Sequence, residues 1–302
     1  MERIKTGGDF WDEKELLCYI SGMKTPMKNL VKPLSPAAQE ALKKLQSLLQ
    51  SQTGLIIAFS GGMDSGFLAL AAFRTLKDRM RALFFDSELI TESERTRAHS
   101  LAKQFGIPFQ ILRLDLLQNP NIASNPFDRC YWCKKAILQQ AKILVPDGWN
   151  VGEGSQMDDR GDFRPGKKAL KEEGIASPLL ESGFTKDLIR EVLRHWSAEA
   201  FISSPAPCLA TRFPVNAALT TAGLRRVEAA ESALRDAGFS QVRLRDHGEV
   251  ARIEAVPAMF PQLLAAREAL IAALKPLGYR YLTLDLEGYR QGSMNHEPSS
   301  TT

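Results

Sequence analysis

A short apolar run, Leu55–Phe59, stops at Ser60-Gly61-Gly62-Met63-Asp64-Ser65, and a helical pattern then runs from Ser65 to about Leu76. A strand that breaks at paired glycines and restarts as a helix is the opening of an α/β fold. The turn between strand and helix is also where a phosphate site belongs in that architecture. Glycines let backbone N–H groups converge on an anion, and the helix start adds partial positive charge. The Ser60 and Ser65 hydroxyls are suited to donate to phosphate oxygens, while Asp64 is suited to hold the loop or a Mg²⁺. The spacing is neither GxxxxGKS/T nor GxGxxG, so neither a Walker loop nor a dinucleotide fingerprint applies.

The alternation continues along the chain. A helix is expected over Pro36–Gln50, strands at Arg81–Phe85, Phe109–Leu114 and Trp149–Val151, and helices over Glu92–Phe105 and Cys133–Leu144. This order implies a parallel sheet. Gly152–Gly166 reads as a loop, Thr185–Trp196 as a capped amphipathic helix and Ser203–Pro207 as a Pro-rich turn. Beyond Pro214 the pattern becomes helix (Leu219–Ala237), two strands (Gln241–Arg245 and Ala251–Val256) joined by a turn at His247-Gly248, helix (Met259–Leu274) and strand (Tyr281–Leu286). The expected organisation is a loosely ordered extension over 1–36, an α/β domain over 37–214, a small α+β domain over 215–290 serving substrate binding or oligomerisation, and a disordered tail over 291–302.

Four cysteines stand at Cys18, Cys130, Cys133 and Cys208. They are too few for a disulfide framework, and CxxC spacing points to metal or redox chemistry. Cys130 and Cys133 fall at a helix start beside Arg129, Lys134 and Lys135, where a thiol is expected to be thiolate-prone. With Cys208 they make three thiols without a fourth, which suits a 4Fe-4S cluster with one open iron or a Zn²⁺ with an open position. Cys18 lies in the extension and receives no role.

The six residues Ser60–Ser65 in this context resemble the PP-loop ATP pyrophosphatase family, whose members cleave ATP to AMP and pyrophosphate on a sheet like that of the adenine nucleotide alpha hydrolases. Phe85, with Asp86 and Ser87, ends the second strand and could line the adenine pocket that the family fold implies. Further stretches narrow the resemblance: Asp158-Asp159, Asp162, Arg164-Pro165-Gly166, Ser177-Pro178-Leu179, Gly183–Lys186, Cys208–Pro214, Arg243 to His247, Ala251–Glu254 and Leu284–Arg290. In this order, over residues 37–295, they resemble the LarE family of ATP-dependent sulfur transferases of nickel-pincer nucleotide biosynthesis. One departure is Gly154-Ser155-Gln156-Met157, where that family places Gly-Thr-Asn before the aspartates.

The resemblance implies adenylylation of a carboxylate on a pyridinium dicarboxylate mononucleotide, followed by attack of sulfur to give a thiocarboxylate. Some members sacrifice a cysteine; others carry three cysteines and a 4Fe-4S cluster that accepts an extra sulfide. Cys208 matches the family's sulfur cysteine, and Cys130 with Cys133 places the chain in the cluster-bearing type. The expected cofactors are therefore ATP, Mg²⁺ and the cluster, with sulfide or another donor supplying sulfur. Arg212, Arg243, Arg245 and Arg290 are candidates for substrate phosphate and carboxylates, because a guanidinium bonds both in bidentate fashion. Asp159 and Glu254 are candidates for Mg²⁺.

Charge separates the rivals. A related cluster-dependent tRNA thiolase should show dense Lys/Arg stripes, whereas 39 basic and 35 acidic residues give a net charge of only +4, with the basic residues dispersed. No partner nucleic acid is therefore expected. A non-catalytic nucleotide-binding iron–sulfur protein would bind ATP and release no pyrophosphate. No apolar run approaches the ~18 residues of a membrane span, so a cytoplasmic homo-oligomeric enzyme is the expectation.

Overall fold

A computed structural model describes residues 33–161, 165–202 and 207–290. Cys18, Asp162, Arg164, Ser203–Ala206 and the segments expected as extension and tail, up to residue 32 and from 291 onward, lie outside the described residues. From Leu34 onward the described residues belong to one compact unit.

Helix α1, Pro36–Gln50, starts where the sequence provides both a cap and a rigid first turn. Ser35 Oγ accepts the Ala38 N–H at 3.2 Å and Pro36 occupies the first turn. Its buried residues Ala38, Ala41, Leu45 and Leu49 recur at helical spacing and form one face. Strand β1, Leu55–Ala58, is followed by α2, Met63–Leu76, then β2, Met80–Asp86, α3, Glu92–Gln104, and β3, Phe109–Arg113. A reciprocal Thr91–Glu94 capping box starts α3. Helix α4, Arg129–Ile143, begins four residues earlier than the sequence pattern suggests, so both CxxC thiols lie within it. Strand β4, Asn150–Gly152, completes a parallel sheet of order β3-β2-β1-β4.

Pleating divides this sheet between two cores. Leu55, Ile57, Ala82 and Phe84 face α1 and α2 in the larger core, whereas Ile56, Leu83, Phe85 and Val151 face Ala141 of α4. Coverage on both faces explains the continuous apolar runs of β1 and β2. The region expected as one loop, Gly152–Gly166, contains a 3-10 turn at Met157–Gly161, and helix α5, Gly166–Glu172, starts where it ends; further on, α6 spans Lys186–His195.

The second sheet has the order β5-β6-β7, from Val242–His247, Val250–Ala255 and Tyr281–Leu284. Its first pair is antiparallel and its second parallel. Helix α7, Thr221–Asp236, packs on it through Leu224, Val227, Ala230 and Leu234. The single helix expected over Met259–Leu274 is instead two, α8, Phe260–Ala265, and α9, Arg267–Leu274, broken at Ala266. Among the described residues no helix is long and apolar enough to cross a membrane.

Candidate active site

The first sheet turns its strand order between β1 and β4, because the chain leaves β1 for β2 and later returns to the other side of β1 for β4. A ligand site is expected outside the carboxyl ends of two such strands. A cleft of about 570 Å³ opens there. Ala58, Ser60, Asp64 and Ser65 line it from the end of β1, and Glu153, Gly154 and Ser155 from the end of β4.

The loop between β1 and α2 is held by its own atoms. Ser60 N–H donates to Ser65 Oγ at 3.1 Å, the two serine hydroxyls lie 3.0 Å apart, and Gly62 N–H reaches Ser60 Oγ at 3.3 Å. Gly61 has φ +73°, a conformation in which a side chain is strained. Gly62 is the N-cap of α2 and supplies no side-chain cap, so the first-turn N–H groups and the helix dipole remain available to an anion. The loop from β4 presses close: a Cβ on Gly154 would stand 2.8 Å from the Ser65 nitrogen. This uncapped, glycine-built turn fits a phosphate chain, and Arg129, Lys134 and Lys167 add cations to the same cleft.

Glu153 is buried and accepts the Ser177 hydroxyl at 2.7 Å and the Ser155 N–H at 3.0 Å, with Lys134 Nζ at 3.5 Å. Asp159 lines the cleft and accepts the Gln156 N–H at 3.1 Å, while Gln156 Oε1 caps the Asp158 N–H at 2.7 Å. Gln156 thus orders the aspartate pair at the position where the sequence departs from Gly-Thr-Asn.

Cys130 lines the cleft at the start of α4, and Cys133 lies one turn further on. Cys208 is the residue before a 3-10 turn, Leu209–Arg212, whose Thr211 and following Phe213 also line the cleft. Cys133 and Cys208 both pack against the apolar core built by α7 and the second sheet. The thiolate-prone expectation is corrected for Cys133. Burial, followed by the Cys208 sulfur, pushes the Cys133 thiol up to about 12, against the pull of Arg129. Burial likewise pushes Cys208 up, outweighing Arg129 and the Ala210 N–H.

In donor chemistry the three thiols fit an iron–sulfur cluster. Among the described residues, however, no group of three or more Cys, His, Asp and Glu stands at metal-holding distances, so no coordination geometry is assigned.

The four candidate arginines do not line the cleft. Arg212 is 4% exposed and makes a two-bond pair with Glu231, Nε–Oε1 and Nη2–Oε2 both at 2.9 Å, while its Nη1 donates to the Pro207 carbonyl at 2.6 Å and the Cys208 carbonyl at 3.3 Å. Arg245 donates to the Thr211 carbonyl at 2.9 Å and to Glu254 at 2.6 Å. These two guanidiniums therefore hold the Cys208 turn against α7 and β5. Arg243 lies over the Tyr289 ring at 5.5 Å, and burial lowers its pKa; Arg290 pairs with Glu287 at the surface.

Two further candidates are placed elsewhere. Glu254 is 0% exposed and paired with Arg245 and Arg252, which corrects its Mg²⁺ assignment. Phe85 is 8% exposed in the core beneath α4, because strand parity turns it away from the cleft. Glu153 was missed, having no motif to announce it; Lys134 and Thr211, which stand next to the cysteine motifs, line the cleft without having been expected to.

The sequence pattern of the NAD synthase family matches residues 38–123, the segment that contains the phosphate loop. The chain is 35% identical over 263 residues to the pyridinium-3,5-bisthiocarboxylic acid mononucleotide synthase of Lactiplantibacillus plantarum, covering 84% of this chain and 91% of that enzyme. An uncharacterized protein of Synechocystis sp. is 34% identical over 85% of this chain and 97% of its own length. Another from Methanocaldococcus jannaschii is 29% identical over 78% of this chain and 90% of its own.

Proposed function

The chain belongs to the LarE family of PP-loop enzymes, and from that membership we propose that it is an ATP-dependent sulfurtransferase converting a carboxylate of a pyridinium dicarboxylate mononucleotide to a thiocarboxylate. The observation that carries the proposal is the meeting, around one cleft, of the Ser60–Ser65 loop, Cys130 and the turn that follows Cys208. The proposed setting is nickel-pincer nucleotide biosynthesis.

In the first step a substrate carboxylate oxygen attacks the α-phosphorus of ATP; the bond to the bridging oxygen breaks, and pyrophosphate leaves. Loop N–H groups and the cations lining the cleft offset the charge that builds on the phosphates. Asp159, which lines the cleft together with Asp64, would hold a Mg²⁺ there. In the second step sulfide sulfur attacks the carbonyl carbon of the acyl adenylate, the acyl–oxygen bond breaks, AMP leaves and one proton is released to solvent. Adenylylation makes that carboxylate oxygen part of a good leaving group, AMP, which is what makes it displaceable.

Cys130, Cys133 and Cys208 are the residues that would hold a 4Fe-4S cluster, which when bound supplies an open iron for sulfide and spares the protein's own sulfur. Anaerobic purification with iron and acid-labile sulfide analysis of the wild type and Cys208→Ala tests this part. Roughly four irons per chain, lost in the variant, are expected. Iron-free protein that still makes thiocarboxylate, with each Cys208 consumed once, would replace the cluster by a sacrificial cysteine.

A further inference from the structure

Glycine at position 61 permits the phosphate loop its shape but does not choose it, since glycine adopts either sign of φ with similar ease. Something outside the loop must fix the plane of the Gly61–Gly62 peptide. Arg97, on α3, is placed to do so. Its Nε–H donates to the Gly61 carbonyl at 3.2 Å, and its Nη2 donates to the carbonyls of Ala200 and Phe201 at 3.0 and 3.2 Å.

A trans peptide directs its C=O and N–H to opposite sides. A Gly61 carbonyl drawn toward Arg97 therefore turns the Gly62 N–H the other way, toward Ser60 Oγ inside the loop. That bond is long, at 3.3 Å, and a phosphate oxygen would be a stronger acceptor. The neighbouring Ala98 supports the same arrangement, since its Cβ lies 2.9 Å from where a side chain on Gly61 would begin.

The electrostatics of Arg97 set it apart from its helix neighbour. Arg95 is paired with Asp86 and Glu92. Among the described residues Arg97 has only backbone carbonyls as partners and no carboxylate that offsets its charge. Its other two carbonyls belong to the segment whose Phe201 ring packs on Gly66 of α2, where an added Cβ would lie 2.2 Å from the ring. One planar fork thus ties the loop and the segment beneath the start of α2 together.

We propose that Arg97 is a positioning residue for ATP, fixing the Gly61–Gly62 peptide so that the Gly62 N–H is presented to a phosphate while its own charge adds to the field there. The inference rests on the proposal that ATP occupies this loop.

ATP affinity by titration calorimetry, with the pyrophosphate-release rate, tests it in the wild type, Arg97→Ala, Arg97→Lys and the charge-matched control Lys103→Met on the exposed face of α3. Arg97→Ala is expected to weaken ATP binding roughly tenfold or more, as loss of charge-assisted hydrogen bonding does. Added ethylguanidinium is expected to restore much of the loss, which a merely structural defect would not allow. Arg97→Lys keeps the charge and folds most safely, but an ammonium cannot span three carbonyls as a planar fork does, so it should fall between wild type and Arg97→Ala. Lys103→Met should match the wild type. Wild-type affinity in Arg97→Lys and Arg97→Ala would overturn the assignment, as would a loss that follows the melting temperature and is insensitive to ethylguanidinium. Wild-type protein that bound no ATP would overturn the occupancy of the loop itself.

Discussion

The phosphate loop and the Cys208 turn border the same cleft, yet they are shaped in opposite ways. The loop is closed by hydrogen bonds between residues at most five positions apart, Ser60 to Ser65 and Gly62 to Ser60. The Cys208 turn is held by side chains far along the chain: Arg212 reaches Glu231, and Arg245 reaches back 34 positions to the Thr211 carbonyl while bound to Glu254. Half of the candidate chemistry is thus set mainly by local conformation, with Arg97 of α3 adding a hydrogen bond from 36 positions away. The other half depends on a second sheet packing correctly, so a defect there should strike sulfur delivery before ATP activation.

The largest effect is expected where the phosphate loop meets the loop that follows β4. Gly154→Ala would set a methyl 2.8 Å from the Ser65 nitrogen and 3.0 Å from the Asp64 carbonyl carbon, both backbone atoms that cannot swing aside. Displacement of a phosphate loop on that scale should lower the pyrophosphate-release rate about 10²-fold, since catalysis tolerates little misplacement. A rate near that of the wild type would mean the loop adapts and is not rigidly set.

Glu231→Gln probes the remotely built half. It leaves the buried Arg212 guanidinium without its anionic partner, a defect that costs about 3–5 kcal/mol in stability for a buried pair. Urea unfolding should register that loss. Under native conditions thiocarboxylate formation should fall much further than pyrophosphate release. Equal losses in both would show that the two halves are not separable.

A smaller effect concerns pH. Burial, with Asp246 beside it, raises the Tyr279 hydroxyl above its ordinary range, and that hydroxyl donates to Asp246 at 3.0 Å next to Arg245 on β5, with Arg226 over the ring. The unfolded tyrosine releases its proton near pH ~10 while the folded one keeps it, so the unfolded state then holds fewer protons. Stability should therefore decline as pH rises above about 10, and Tyr279→Phe should flatten that decline in urea midpoints taken across the range.

The smallest change is expected from Glu287→Gln, which breaks the exposed Arg290 pair. It should move stability by less than about 0.5 kcal/mol. A larger shift would give the surface pair a role comparable to the buried ones.

The same contrast separates what is legible in the sequence from what is not. The strand–glycine–helix turn was legible because its cause is local: glycine conformation, serine hydroxyls and a helix start lie within six residues. The parallel sheet and the later strand pair were legible through apolar periodicity. The arginines were not, because a guanidinium that suits a phosphate suits a carboxylate equally well, and nothing in one dimension reveals that Glu231 and Glu254 face Arg212 and Arg245. Phe85 was ambiguous for a related reason, as the face it occupies depends on strand register, which pairs it with Leu112. The break at Ala266 carries no glycine or proline at that position to announce it, and the start of α4 at Arg129 has no side-chain cap to mark it.

In the proposed reaction ATP activation and sulfur delivery are carried by separate parts of one site. Pyrophosphate release and thiocarboxylate formation, followed together with ATP, sulfide and a pyridinium dicarboxylate mononucleotide in the wild type and in Cys208→Ala, test it most directly. Pyrophosphate release by both proteins and thiocarboxylate from the wild type alone are expected. Thiocarboxylate formed equally by Cys208→Ala, or ATP consumed by the wild type with no sulfur entering the nucleotide, would contradict it.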